Sequence, residues 1–347
     1  MQALMKHYKF AMLFAVAAII VGYVIGGLQT ALVVAVLGIL ETSLSFDNAV
    51  VNARVLNNWD DKWRQRFLWW GIIVAVFGMR LIFPLAIVSV TTGINPAAVT
   101  QMALHDPSAY AVHLNAVHHE VAGFGGAFLF MVALGYFFEE KQVYWWEMIE
   151  SRLARLGQLD NFAAALVLAG SYAVSIFFAD EHMGAQFFRA AVFGVVTFML
   201  AHGLGSLLGG GDEEEEDAGT NVAGNIIKAS IAGFFYLEIL DASFSFDGVI
   251  GAFVLSNYLP VIALGLGIGA FFVRSMTIHL VEAGTLSEYR YLEHGAFYAI
   301  LALAGIMYAS GLGLDLPQWG TGLLSATFIA AAFLHSLVYN RREAASA

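Results

Sequence analysis

Two nine-residue stretches, 200 positions apart, set acids inside apolar sequence: Ile39-Leu40-Glu41-Thr42-Ser43-Leu44-Ser45-Phe46-Asp47 and Ile239-Leu240-Asp241-Ala242-Ser243-Phe244-Ser245-Phe246-Asp247. The shared pattern is I-L-[E/D]-x-S-[L/F]-S-F-D. Each copy lies in a hydrophobic segment long enough to enter a bilayer. An ionisable group there is costly unless it is paired or hydrated, and it usually marks an ion pathway or a binding site. Carboxylates in such a setting can coordinate a cation or carry protons.

Helical geometry distributes these groups. On a continuous helix Glu41, Ser45, Asn48 and Asn52 share one face, while Ser43, Asp47 and Arg54 share roughly the opposite one. In the second copy Asp241 and Ser245 repeat the first face with Glu238 beside it, and Ser243 and Asp247 repeat the second. Asn48 and Asn52 become Gly248 and Ala252, so the second half is leaner in polar groups. A break near Phe46 or Phe246 would bring the two acids of a copy together and free backbone carbonyls as further oxygen ligands. Unwound backbone at membrane depth is tolerated where it is buried or lines a cavity.

Two arginines answer these acids. Gly71 to Arg80 and Gly265 to Arg274 each place an arginine nine residues after a glycine. Asp47 and Asp247 are the expected partners of Arg80 and Arg274. Pairing alone leaves a surplus, because Glu41, Asp47, Glu238, Asp241 and Asp247 face only these two guanidinium groups. That surplus favours a cation or proton site over purely structural ion pairs.

The elements that position these groups are membrane helices. The 347-residue chain is 59% hydrophobic and only 12% charged, about half the charged fraction of a soluble domain. A net charge of −11 argues against a nucleic-acid partner. With no cysteine there is no disulfide, thiolate metal site or thiol nucleophile. Any metal handled should therefore be hard or borderline, held by oxygen or imidazole.

Hydrophobic runs near the ~20-residue spanning length fall at about 9–27, 29–56, 67–90, 118–138, 162–180, 188–208, 222–256, 260–282, 292–312 and 318–339. The expected fold is an all-α polytopic bundle of about ten spans in a single membrane domain. The apolar run after Lys6 and Lys9 reads as a retained first helix and not as a cleaved signal. With a cytoplasmic N-terminus, the outer connections hold no Lys or Arg, Arg189 at one outer boundary being the exception to the pattern. An inner-membrane location with both termini in the cytoplasm follows. The motifs then sit in spans 2 and 7, so 29–138 and 222–312 are expected to be inverted three-helix repeats. Segment 139–221 links them with two spans and an acidic cytoplasmic loop, and 313–347 supplies the last span and the C-terminal tail.

Other candidates carry less. The outer loop 91–117 and the residues after it hold His105, Asp106, His113, His118, His119 and Glu120; such clusters bind transition metals, but solvent-facing histidines are the commoner case. The run from Asp212 to Asp217 reads as a solvated linker. Trp69-Trp70 and Trp145-Trp146 read as interfacial anchors.

Glu41-Thr-Ser-Leu-Ser-Phe-Asp-Asn-Ala-Val, with Arg66-Phe-Leu-Trp-Trp-Gly-Ile-Ile-Val-Ala-Val-Phe-Gly-Met-Arg80, resembles the first half of the TerC family of integral membrane proteins. Glu238-Ile-Leu-Asp-Ala-Ser-Phe-Ser-Phe-Asp247, Gly269-Ala-Phe-Phe-Val-Arg274 and Tyr291-Leu-Glu-His-Gly resemble its second half. Length, the first span and the insert resemble the DUF475 branch more than the tellurium-resistance branch. The resemblance implies a divalent-cation exporter, manganese most often, with acidic motif residues at Glu41, Asp47, Glu238, Asp241 and Asp247 and Asn48 beside them. Where that family commonly has Asp-Ser, this chain has Asp247-Gly248, one possible oxygen ligand fewer.

The expected function is secondary export of a divalent cation, manganese first and calcium or magnesium next. The ligands would be the carboxylates of both motifs with Asn48, Ser45 and Ser245, and the counter-charges Arg80 and Arg274. The cation is cargo; no tightly bound cofactor and no catalytic residue is expected, and no protein partner is legible. Two alternatives stand beside this: a membrane factor that delivers metal to secreted proteins, and an intramembrane hydrolase using paired acids.

Overall fold

The computed structural model describes residues 2–159, 161–208, 230–256, 258–314 and 316–346. Among these residues all regular structure is helical. The acidic run Asp212–Asp217 and Asn257 lie outside the described residues.

Seven helical stretches among the described residues are long and apolar enough to cross a membrane: His7–Leu44, Asp61–Thr92, His118–Phe138, Glu181–Gly203, Leu259–Glu282, Leu292–Gly311 and Gly320–Glu343. The protein is therefore a membrane protein. The first stretch is folded on itself. Helix α1 (Gln2–Leu44) is interrupted at Gly26 and at Gly27, which has φ 70° and ψ −161°, a conformation open to glycine and closed to residues with a Cβ. Gly22 lies against Ala31 and Val34, although nine helical residues would separate Gly22 from Ala31 by ~13 Å. The two limbs are thus an antiparallel hairpin, matching the separate runs 9–27 and 29–56.

Helix α1 ends at Leu44, and α2 (Phe46–Asn57) begins after Ser45, whose φ of −102° and ψ of 22° are not helical. The first motif is broken inside its Ser-Phe-Asp triplet. Helix α3 (Asp61–Ile73) continues through a π-helical stretch, Val74–Ile82, into α4 (Phe83–Thr92).

Segment 91–117, expected as a loop, is instead largely helical: α5 (Pro96–His105) and α6 (Pro107–Ala116). The side chains of Asn95 and Asp106 cap them by accepting from Ala97 N and Ala109 N, and a proline stands in each first turn. Asn-Pro and Asp-Pro are helix-start signals, and the long-loop expectation overlooked them.

Helix α7 (His118–Phe138) is the buried centre of the bundle. Short α8 (Glu147–Leu156), α9 (Phe162–Ser175) and α10 (Glu181–Leu208) follow. The second motif lies in α11 (Ile231–Leu255), which runs through it without a break. Helix α12 (Leu259–Glu282), one-turn α13 (Thr285–Glu288), α14 (Leu292–Gly311) and α15 (Gln318–Ser346) complete the chain.

Contacts fix the relative directions. Leu37 meets Gly265, and Glu41 meets Gly269, so the second limb of α1 runs parallel to α12. Along α7 and α14, His118 meets Ser310 and Gly126 meets Ala304, while the Tyr136 and Phe297 rings stack with centroids 3.8 Å apart. Those two helices are antiparallel.

Candidate functional site

Both motif copies converge on Arg80. Its Nη2 lies 2.8 Å from Glu41 Oε1 of the first copy and donates to Ser245 Oγ of the second at 3.2 Å. Its Nη1 donates to Ala75 O at 2.8 Å and lies 3.7 Å from Asp241 Oδ2. Ala75 is five residues back along the π-helical stretch. Short π-helical segments recur at functional sites because they re-aim side chains. Arg80 is 1% exposed; both terminal nitrogens of its planar fork are engaged by the two motifs and its own backbone, while Nε is buried without a hydrogen-bond partner.

Asn48 makes a second link between the copies. Its Nδ2 donates to Asp241 Oδ1 at 2.6 Å, and its Oδ1 accepts from Asn52 Nδ2 at 2.9 Å. Asp241, Asn48 and Asn52 thus form a buried polar ladder down α2. Three oxygens around it are buried without a hydrogen-bond partner: Asn52 Oδ1, Asp241 Oδ2 and Glu238 Oε2. Buried polar oxygens seldom stay unpaired, so these are the atoms most in need of a cation, a proton or water.

The second arginine is held differently. Arg274 Nη2 lies 2.8 Å from Glu238 Oε1 and donates to Gly71 O at 3.1 Å, while its guanidinium carbon stands 3.7 Å from the Phe67 ring centroid. A Cβ at Gly71 would sit 2.7 Å from Glu238 Oε1 and 2.8 Å from the guanidinium. The glycine therefore makes room for the ion pair and exposes the carbonyl that receives it.

These pairs correct the expected partners. Arg80 pairs with Glu41 and Asp241, not Asp47, and Arg274 pairs with Glu238. The side chain of Asp247 lies outside the described residues, so its pairing with Arg274 has no counterpart here. The break at Ser45 supplies the reason. A continuous helix sets Asp47 on the face opposite Glu41; the interrupted one turns it toward α15, where the Ser325 hydroxyl hydrogen-bonds its carboxylate. Asp47 Oδ1 also accepts from Asn48 N at 2.9 Å. The four described motif carboxylates, Glu41, Asp47, Glu238 and Asp241, are all buried. They face two guanidinium groups, and Asp47 touches neither.

Glu41, Ser45 and Asp47 line one cavity of about 540 Å³, which extends to Asn115, His118, Ser310 and Thr321. Of the outer histidines, His118 alone borders it: His119 turns to Gln186 at 3.1 Å, and His105 contacts its own helix at Gln101 O. Ser43 and Ser243 bond back to Ile39 O and Ile239 O in their own helices. Ser245 already accepts from Arg80.

Sequence reasoning missed two features. Ser325 stands between Thr321 and Thr327 on α15, outside both motif segments, and no pattern singles it out. Gly248 read as a missing oxygen ligand, yet a Cβ there would lie 2.6 Å from Glu41 Oε2. The glycine leaves space for the acid of the other copy.

The described residues contain no cluster of three or more His, Cys, Asp or Glu already arranged around a metal position. No curated protein and no solved structure matches the chain. A family model described as "Protein of unknown function (DUF475)" matches residues 46–343. By that match, which takes in all of the chain beyond the break at Ser45 except its last few residues, the protein belongs to the DUF475 family.

Proposed function

We propose that this DUF475 protein is a secondary transporter that exports a divalent cation from the cytoplasm, with manganese the first candidate and calcium or magnesium next. One observation carries the reading: four buried carboxylates from the two motif copies face two arginines, and two of the four, Glu41 and Asp47, line a large cavity. Surplus buried negative charge demands a counter-ion or protons. Carboxylate, amide and hydroxyl oxygens suit a hard divalent cation. Glu41, Asp47, Asn48 and Ser45 would take the cation, with Asp241 and Asp247 from the second copy. Glu238 and Ser245, engaged by Arg274 and Arg80, would join as those arginines shift.

We read the chain as ten spans in the inner membrane with cytoplasmic termini, and 29–138 and 222–312 as inverted repeats of the TerC kind. The antiparallel course of α7 and α14, third helices of the two segments, supports the inversion. On this reading the hairpin at Gly27, α9 and α11 would be the crossings beyond the seven long stretches. Export would be coupled to protons taken up by the same carboxylates, since the sequence holds no nucleotide-binding motif. The decisive experiment is cation efflux from vesicles and manganese tolerance of cells, compared for the native protein and Asp47→Asn. Asparagine keeps the shape and removes the charge, so efflux should vanish while insertion persists. Normal efflux by a well-inserted Asp47→Asn protein would remove the site.

A further inference from the structure

Two features lie at opposite ends of α7 and α14, one where the cavity of the site reaches its far end and one outside the site. At one end His118 Nε2 and Ser310 Oγ meet at 3.1 Å beside the 540 Å³ cavity, which continues inward to Glu41 and Asp47. Helix α15 forms one wall, through Thr321, Gly322 and Ser325, with Leu316 just before it. A Cβ at Gly322 would run into the Leu44 side chain, so α15 packs directly onto the break in the first motif.

At the other end, roughly 30 Å away along a 21-residue helix, the chain is tied shut. Arg54, at the C-terminal end of α2, bonds Glu139 at 2.8 Å and Glu293 at 3.3 Å. Glu139 follows α7 and Glu293 opens α14. The Arg54 guanidinium also lies over the Tyr136 and Phe297 rings, 4.7 and 5.2 Å from their centroids. Beside it Lys141 Nζ caps the Tyr136 ring at 3.5 Å, and His294 Nδ1 meets the buried Glu150 at 2.8 Å. One arginine on the motif helix therefore clamps the ends of two antiparallel helices, with aromatic rings filling the space behind it. A second cavity touching Asp47, of about 350 Å³, also borders Leu280, Leu292, Ile329 and Phe333, with Ser43, Thr285 and Ser325 among its lining residues.

We propose that the His118–Ser310 cavity is the outer half of the cation pathway, that Arg54 with Glu139 and Glu293 is the inner latch, and that this structure has the outer half open and the latch closed. The inference rests on the transporter reading for what moves through the cavity. Asn52, at the foot of the polar ladder and two residues before Arg54 on α2, lies along the helix between the motif carboxylates and the latch. For the cation to reach Asp241 and Asp47 from the cytoplasm, Arg54 must release at least one of its acids. The carboxylates then become accessible along Asn52 and Asn48.

The absence of native cysteine makes the test direct. Single cysteines are placed at Thr321, in the cavity, and at Asn52, behind the latch, and labelled with a membrane-impermeant maleimide from each side of oriented vesicles. Thr321→Cys should react from the outer side only. Asn52→Cys should be protected from the cytoplasmic side and become at least tenfold more reactive there when Arg54→Gln is added. Glu139→Gln with Glu293→Gln should reproduce that gain from the other side of the latch, which guards against a fold defect peculiar to Arg54→Gln. The proposal is overturned if Thr321→Cys reacts from the cytoplasmic side, or if well-inserted latch variants leave Asn52→Cys as protected as before. Labelling does not depend on transport. The predicted pattern with normal efflux by Asp47→Asn would keep the pathway and discard the cation site.

Discussion

The two motif copies are identical at six of nine positions, yet the structure uses them differently. In the first copy the helix breaks at Ser45, and Glu41 and Asp47 both reach a cavity wall. In the second the helix runs on, and Glu238, one turn before the motif acid, is clamped by Arg274 over Phe67. Arg80 is shared between copies, whereas Arg274 bonds Glu238 and Gly71 O. The same arginine position thus sits in a π-helical stretch that lets it straddle two acids, and in a regular α-helix that gives it one. A repeated sequence can supply an accessible half-site and a locked one, because local backbone geometry decides which acid meets which arginine.

That contrast can be broken from its accessible side first. Asp47→Asn should abolish cation efflux in vesicles while expression and insertion stay near native, since it removes surplus buried charge and creates none. The locked side should respond in stability instead. Arg274→Gln leaves Glu238 buried against a neutral amide and should cost about 3–5 kcal/mol, read as a large loss of folded protein in detergent. The double change Arg274→Gln with Glu238→Gln should recover most of it. If the single variant is as stable as the native protein, the second copy is not locked in the sense described.

Smaller effects sharpen the comparison. Gly248→Ser restores the residue common in the resembled family but places a side chain against Glu41 Oε2. It should raise the apparent KM for the cation several-fold with a lesser change in maximal rate; a tighter site would show that the lost hydroxyl mattered more than the space. Ser325→Ala removes the hydroxyl bonded to Asp47 and should shift efflux about two- to fivefold, on the scale of one hydrogen bond of ~1 kcal/mol. Ser325→Thr should recover most of that shift. Glu214→Gln, in the acidic run and outside both motif segments of the sequence, should change neither efflux nor folding.

Much of this was legible in the residues. Apolar runs of spanning length identify membrane helices because a bilayer core accepts little else, and acids within such runs stand out against that background. The break in the first motif was foreseeable as a possibility from an overlong segment bearing Ser-Phe-Asp. The two short helices in 91–117 were legible in Asn95-Pro96 and Asp106-Pro107 and were passed over, because the charge pattern marked the segment only as a connection.

What the sequence by itself determined is therefore the class, a membrane bundle of helices, and the set of side chains with chemistry to offer. Periodicity and transfer cost act residue by residue, so they need no knowledge of neighbours. The tertiary structure decided the partners: Glu41 and Asp241 for Arg80, Glu238 for Arg274, Ser325 for Asp47, and Arg54 across α7 and α14. Those choices depend on where a helix breaks, which glycine admits an acid, and which distant helix packs on the break. Such contacts join positions up to almost 300 residues apart, and no local pattern encodes them.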